Sequence, residues 1–130
     1  MLLIIPTILA YSFITSDGYS CKDRLNGYYE DRQIYICPQL TKEEKKFTYF
    51  HEYGHYMWFT LPLLKQLEWQ SFDNLDDINS YISNYACFSP LEDFAETFTY
   101  IVLKKDNITD NELLTKKKRF IRLIIYSLIK

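Results

Sequence analysis

The stretch of sequence that decides the fold reads TKEEKKFTYFHEYGHYMWFT and covers residues 41–60. It begins with Thr41 and has Glu44 three residues later, which is the form of a capping box at a helix N-terminus. Apolar and histidine side chains then recur every three or four residues, as on one face of an α-helix, and Pro62 ends the pattern. We therefore predict a helix from Thr41 to about Thr60.

Both histidines of the chain lie in this helix, within the HExxH motif that joins His51, Glu52 and His55. Residues four apart stand one turn above each other, so both imidazoles can give a nitrogen to one Zn²⁺ ion. Glu52 is rotated by about 100° from His51 and would face the solvent side of the metal, where it could take a proton from water. The alternative is a coincidental spacing of two helical histidines beside a surface glutamate.

A second predicted helix supplies further candidate ligands. Residues 89–92 read SPLE, which combines an N-cap serine, a proline at the first helical position and a glutamate at the third. We predict that this helix runs to about Lys105. A catalytic zinc site needs three protein ligands and one open position for water. Because the chain has no third histidine, the candidates are the carboxylates of this helix and Cys87.

Two carboxylates of this helix, Glu92 and Glu96, lie one turn apart and therefore face the same side. One of them could bind zinc while the other accepts the N–H of a ligand histidine. The alternative is that Glu92 only completes a capping box with Ser89, which needs no metal.

At these positions the chain resembles the gluzincin zinc metallopeptidases. The similarity lies in FHEYGHY at residues 50–56 and YACFSPLEDFAE at residues 85–96, and it is strongest to the minigluzincins and the anthrax lethal factor-like and clostridial proline-directed enzymes. The resemblance implies that Glu92 is the third zinc ligand and that Glu96 supports a ligand histidine from behind. It also implies that Tyr85 stabilises the oxyanion formed during the reaction.

The resemblance covers about residues 26–101 and implies a small zincin-like α+β domain. In this fold a short N-terminal mixed β-sheet packs on the HExxH helix, and the glutamate-ligand helix and a C-terminal helix follow. The implied activity is that of a zinc-dependent endopeptidase with one Zn²⁺ ion, with Glu52 as general base and a protein or peptide as substrate. The alternative is a latent or non-catalytic zinc-binding interaction module of the same fold, in which the tail after Lys104 covers the cleft.

The β-prone runs in the first third of the chain predict a small β-sheet. Residues 2–15 are apolar and β-branched, which favours a buried first strand over the alternative of a secretory signal in residues 1–10. Two β-prone runs at residues 24–29 and 33–37 have the spacing of a hairpin. The resemblance places residues 27–29 at the rim of the cleft, paired with an extended substrate, although Tyr28 and Tyr29 could equally be packing residues.

Three other local patterns carry predictions. Residues 63–84 indicate a short helix, and residues 109–112 read TDNE, a capping box for a last amphipathic helix. The basic cluster at residues 116–119 is most simply the solvated side of that helix, with a binding patch as the alternative. The odd set of Cys21, Cys37 and Cys87 favours reduced thiols and leaves a bridge between the first two open.

Composition and charge limit the partners. A chain of 130 residues suits a single domain over residues 1–130, and its net charge of −2 provides no field to attract nucleic acid or an anionic membrane. We therefore expect one domain, a monomer, and neither nucleic acid nor membrane as a partner. The cysteine count and the absence of a clear signal favour a cytoplasmic location and leave secretion open.

Overall fold

The computed structural model describes residues 13–14, 26–31 and 33–129. The strands are β1 (Phe13–Ile14), β2 (Gly27–Glu30) and β3 (Gln33–Ile36). The helices are α1 (Lys42–Thr60), α2 (Leu63–Gln70), α3 (Pro90–Val102) and α4 (Glu112–Ile129), with short 3₁₀ turns at Ile78–Ser80 and Tyr85–Phe88. The described part of the chain is therefore α+β, as predicted.

The three described strands form one mixed sheet in the order β1-β3-β2. β1 is parallel to β3, and β2 is antiparallel to it with Tyr28 opposite Tyr35. The predicted hairpin is therefore confirmed, and it turns at Asp31, whose φ of 50° is the left-handed conformation that tight hairpins need. Most of the predicted first strand lies outside the described residues, as does the alternative of a signal segment in residues 1–10.

Helix α1 begins and ends where the sequence predicts. The Glu44 N–H donates to Thr41 Oγ1 at 3.2 Å and the Thr41 N–H donates to Glu44 Oε1 at 3.0 Å, which completes the capping box. Gly54 sets the packing of α1 on α3, because a Cβ atom there would lie 2.8 Å from Ala95 Cα. This close approach brings the histidine face of α1 directly against the glutamate face of α3.

The core lies between the sheet and the four helices, and large aromatic rings fill it. The Phe94 ring meets both tryptophans, Trp58 and Trp69, at centroid distances of 5.4 Å. Helix α3 is buried along nearly its whole length, so its few polar side chains must find partners inside the protein. The fully buried members of the core cluster are Ile34, Ile36, Met57, Trp69, Phe94, Phe98, Val102, Ile121 and Ile125. Among the described residues, no helix is long and apolar enough to cross a membrane.

Three boundaries differ from the prediction. The short helix expected to reach about residue 84 lies earlier, at Leu63–Gln70, and only turns follow it, among them the 3₁₀ turn at Ile78–Ser80. Helix α3 ends at Val102 rather than near Lys105, because Lys104 has a φ of 56°, which a continuing helix does not allow. The last helix is capped by Asn111 rather than Thr109, since Asn111 Oδ1 accepts the Leu114 N–H at 2.8 Å.

Two side-chain predictions are corrected. The basic cluster at residues 116–119 is not wholly solvated, because Lys117 is 0% exposed and Lys118 is 7% exposed. Each of the two meets a carboxylate, Asp93 and Asp106 respectively. The expectation of three reduced thiols is wrong for Cys37, which is disulfide-bonded, whereas Cys87 is free. Cys21 lies outside the described residues, and the support that reduced thiols gave to a cytoplasmic location is removed.

Candidate metal centre

The face of α1 that carries the two histidines meets Glu92, which lies in the first turn of α3. His51 Nε2 is 2.9 Å from Glu92 Oε2, and His55 Nε2 is 3.1 Å from Glu92 Oε1. The two Nε2 atoms are 3.2 Å apart. The structure thus brings the three predicted metal ligands together, with one ligand atom of each within 4.8 Å of the others.

The residues fit a zinc ion in both spacing and chemistry. Zinc bonds of about 2.0–2.1 Å at tetrahedral angles hold ligand atoms about 3.3 Å apart. The observed separations of 2.9–3.2 Å among the nitrogen and oxygen atoms are close to this value. Two imidazoles and one carboxylate are also a donor set that catalytic zinc sites use.

Glu96 lies behind His51. Its Oε2 atom is 2.7 Å from His51 Nδ1, and only 5% of the residue is exposed. A hydrogen bond at Nδ1 fixes the orientation of the ring and directs Nε2 towards Glu92 and His55. Glu92 and Glu96 therefore share one side of α3 and contact different nitrogen atoms of the same imidazole.

Ser89 caps α3 through its hydroxyl, which accepts the Glu92 N–H at 3.2 Å. The sequence left open a capping role for the Glu92 side chain. Its carboxylate instead lies against His51 and His55, on the side of the helix that faces α1. Only the backbone of Glu92 takes part in the observed cap.

Glu52 is buried next to the candidate ligands, with 8% exposure. One of its carboxylate oxygens is 4.0 Å from His51 Nε2, and the backbone N–H of Tyr29 on β2 donates to the carboxylate. Burial raises the pKa of Glu52, although the two histidines oppose the shift. A carboxylate with a raised pKa, held beside the ligands by a strand, is suited to accept a proton from water.

Tyr85 begins the 3₁₀ turn that precedes α3 and lies at the mouth of the site, 45% exposed. Its ring centroid is 5.7 Å from that of His51, and its hydroxyl hydrogen-bonds the Glu92 carboxylate. Partial burial and the surrounding carboxylates, Glu92 first among them, raise the pKa of the phenol. The hydroxyl therefore keeps its proton at neutral pH and can donate a hydrogen bond.

The histidines and carboxylates shift each other's protonation. Burial acts to lower the pKa of His51, but hydrogen bonds to Glu92 and Glu96 outweigh it and raise this pKa to about 9. Burial likewise acts to raise the pKa of Glu92, and the hydrogen bonds with His51 and His55 lower it to about 2. Each group therefore favours the charged form of the other across these contacts.

A cavity of about 230 Å³ opens beside these groups, between α1, the start of β2 and the Tyr85 turn. Gly27 forms part of its wall, where a Cβ atom would lie 2.6 Å from Tyr35 O and from Thr48 Cγ2. Its neighbours on β2 pack within the protein: Tyr28 stacks on Tyr35 and Tyr29 meets Tyr56. The residues that line the cavity are Asn26, Gly27, Phe47, Thr48, His51, Glu52, Tyr85 and Glu96.

In the alternative of a latent module, the tail after Lys104 covers the cleft. Helix α4 packs on the side of α3 that carries Asp93, through the ion pair with Lys117. None of the eight residues that line the cavity comes from the part of the chain after Lys104.

Cys87, the other candidate ligand, is outside the group of three, and its thiol donates to Asn84 O at 3.0 Å.

Sequence reasoning missed Ser83, whose hydroxyl donates to Glu96 Oε1 at 2.8 Å. A serine in an irregular segment carries no periodic or motif signal, so nothing in the sequence marks it.

Comparison of this chain with protein-family models, curated proteins and solved structures finds no match. Any function proposed for this chain is therefore inferred from the residues of the site.

Proposed function

We propose that this chain is a zinc-dependent endopeptidase of the gluzincin type, with a zincin-like fold and one Zn²⁺ ion. The convergence of His51, His55 and Glu92 within 4.8 Å carries the proposal. It is supported by the buried Glu52 carboxylate beside this group and by the cavity that gives access to it.

His51, His55 and Glu92 would hold the zinc ion, and Glu96 would keep His51 in the orientation that binding requires. When bound, zinc lowers the pKa of a water towards about 7 and polarises the carbonyl of the scissile peptide bond. The remaining chemistry belongs to the protein side chains.

Glu52 accepts the proton of the attacking water and later delivers it to the leaving amine. The Tyr85 hydroxyl donates a hydrogen bond to the carbonyl oxygen as negative charge develops there. Because Tyr85 is half exposed on a short turn, its hydroxyl can exchange Glu92 for the substrate oxygen without any change in the helices. The substrate is a protein or peptide in the cavity between β2 and the Tyr85 turn.

The test is the variant Glu52→Gln, compared with wild type for zinc content and for cleavage of a peptide library derived from a proteome. We expect about one zinc ion per chain in both and cleavage reduced by about 100- to 10,000-fold in the variant. Glu68→Gln is the matched control, because Glu68 lies on the exposed surface of α2.

Two results would separate the alternatives. Unchanged cleavage by Glu52→Gln would contradict the proposed mechanism. A wild-type chain that binds zinc but cleaves no peptide of the library would favour the non-catalytic zinc-binding module.

A further inference from the structure

We infer that Ser83 is a positioning residue that fixes the Tyr85 turn to the carboxylate behind His51, and thereby holds two parts of the candidate site in register. The effect on turnover rests on the proposed function, whereas the effect on zinc affinity and on the turn does not. Ser83 is not one of the candidate ligands and does not itself line the cavity, so it acts through Glu96 and the turn.

The first contact is with Glu96. This carboxylate uses its two oxygens separately: Oε2 lies 2.7 Å from His51 Nδ1, and Oε1 accepts the Ser83 hydroxyl proton at 2.8 Å. A carboxylate held at both oxygens cannot rotate about its terminal bond without losing one partner. Ser83 therefore fixes the plane of the group that orients the His51 ring.

The second contact is with the turn. Ser83 Oγ accepts the backbone N–H of Ala86 at 3.2 Å, and the Ser83 carbonyl oxygen shares the same N–H at 3.2 Å. Ala86 is fully buried and directly follows Tyr85 in the 3₁₀ turn. One hydroxyl oxygen thus links the turn that carries the phenol to the carboxylate that orients the histidine.

A role for Ser83 in the local turn alone would explain its contact with Ala86 but not the hydrogen bond that its hydroxyl donates to Glu96. Serine hydroxyls at turns and helix ends commonly bond to nearby backbone groups. Ser71 and Ser127 do so here, since they donate to the carbonyl oxygens of Glu68 and Ile124. Ser83 instead donates across to Glu96 on another element, which a purely local role does not require.

The experiment compares Ser83→Ala, Ser83→Thr and the control Ser71→Ala with wild type. Zinc affinity is measured by competition with a chromogenic chelator, and kcat and KM on a peptide substrate found in the library. Loss of outer partners of metal ligands typically costs about 10- to 100-fold in metal affinity or activity. Since Ser83 is one step further out, we expect about a tenfold loss for Ser83→Ala in zinc affinity and in kcat, with KM within about twofold.

Ser83→Thr keeps a hydroxyl at the same position, so we expect it to restore both quantities to within about threefold of wild type. The Ala86 amide provides a readout that needs no activity. Its hydrogen exchange, followed by NMR, should accelerate about tenfold in Ser83→Ala, because one of its two acceptors is lost. Ser71→Ala should leave zinc affinity, kcat and this exchange rate unchanged.

Unchanged zinc affinity together with unchanged Ala86 exchange in folded Ser83→Ala would overturn the inference, as would a Ser83→Thr variant no better than Ser83→Ala. If wild type cleaves no peptide, the proposed function fails, and zinc affinity and amide exchange still decide the role of Ser83.

Discussion

Glu92 and Asp93 are neighbours in α3, yet they enter two different polar clusters. Asp93 faces α4, where its Oδ2 atom is 2.9 Å from Lys117 Nζ, and both side chains are at most 2% exposed. Glu92 faces α1, where it meets His51 and His55 beside an open cavity. The same helix therefore carries a closed cluster on one side and an open cluster on the other.

The closed cluster is complete. Lys117 Nζ donates to Asp93 and also to Ser80 O at 3.0 Å, and it lies 3.9 Å from the centre of the Tyr81 ring. Thr97 Oγ1 donates to the other oxygen of Asp93 at 3.3 Å. One positive and one negative charge are balanced with their hydrogen-bonding capacity in use, so this cluster is structural.

The open cluster is unbalanced. Three carboxylates, from Glu52, Glu92 and Glu96, surround two imidazoles, and the Nε2 atoms of both rings converge on Glu92. Carboxylates in excess around converging nitrogen atoms create a site that a divalent cation would stabilise. The two clusters thus differ in their charge balance and in whether they open onto a cavity. The burial of their carboxylates alone does not distinguish them.

The largest expected effect comes from replacing the shared carboxylate of the open cluster. For Glu92→Gln we expect zinc affinity to fall by about 1000-fold, or about 4 kcal/mol, since three ligands share a total binding energy of about 10–16 kcal/mol. Chelator competition measures the affinity. Peptide cleavage at equal zinc concentration should fall with it.

The adjacent substitution Asp93→Asn is the matched control for Glu92→Gln. It removes one partner of a buried ion pair, so we expect the free energy of unfolding to fall by about 3–5 kcal/mol. The zinc affinity of the folded protein should stay within about threefold of wild type. Equal effects of the two substitutions on zinc affinity would contradict the division of α3 into two sides.

The next largest effect concerns Lys117→Met in the closed cluster. Burial raises the pKa of Asp93 to about 6, although Lys117 opposes the shift. Without Lys117 this carboxyl should hold a proton in the folded state that the unfolded chain releases near pH 4, so stability is lost as the pH rises. We expect the free energy of unfolding to fall by about 3 kcal/mol at pH 8 and by less at pH 5.

Urea unfolding of the zinc-free protein at both pH values measures this difference for Lys117→Met. Lys116→Met is the control, because Lys116 is exposed and its ion pair is with the exposed Glu112, at 4.0 Å. It should change the free energy of unfolding by less than about 0.5 kcal/mol. Equal losses of stability in the two variants would contradict a structural role for the ion pair between Lys117 and Asp93.

Tyr85→Phe tests the open cluster without replacing a candidate ligand. Removing a single oxyanion donor costs about 100-fold or more in kcat, equivalent to about 2.7 kcal/mol. Zinc affinity should change little, because the substitution removes one hydrogen bond to Glu92 and leaves all three candidate ligands in place. Steady-state kinetics and chelator competition separate the two quantities, and normal turnover would remove Tyr85 from the mechanism. Tyr126→Phe, on the exposed surface of α4, is the control.

The sequence predicts best what is encoded over one helical turn. The capping box of Thr41 and Glu44, the N-cap at Ser89 and the spacing of the two histidines are local relations, and all appear where predicted. The assembly of Glu92 and Glu96 around the histidines needed the resemblance to a family, because spacing alone could not assign which carboxylate meets which atom.

The sequence predicts poorly what depends on a distant partner. Lys117 sits in a run of basic residues that looks solvated, and only its approach to Asp93 on another helix shows that it is buried. Asn111 and Thr109 are both good cap residues, and Asn111, which caps the last helix, also donates from Nδ2 to the distant Asp77 Oδ1 at 3.0 Å. Ser83 becomes significant only because α3 places Glu96 within reach of its hydroxyl.

The smallest effect tests how far the local cap of α3 influences the open cluster. Ser89→Ala removes the acceptor of the Glu92 N–H and should lower the free energy of unfolding by about 1 kcal/mol. Zinc affinity should change by less than about threefold, since the helices rather than the cap hold the Glu92 carboxylate against the histidines. Thr41→Ala, which removes the corresponding cap of α1, is the control and should cost about as much stability. If Ser89→Ala, but not Thr41→Ala, bound zinc ten times more weakly, the cap would be needed to position the first turn of α3. Ser89 would then belong to the open cluster.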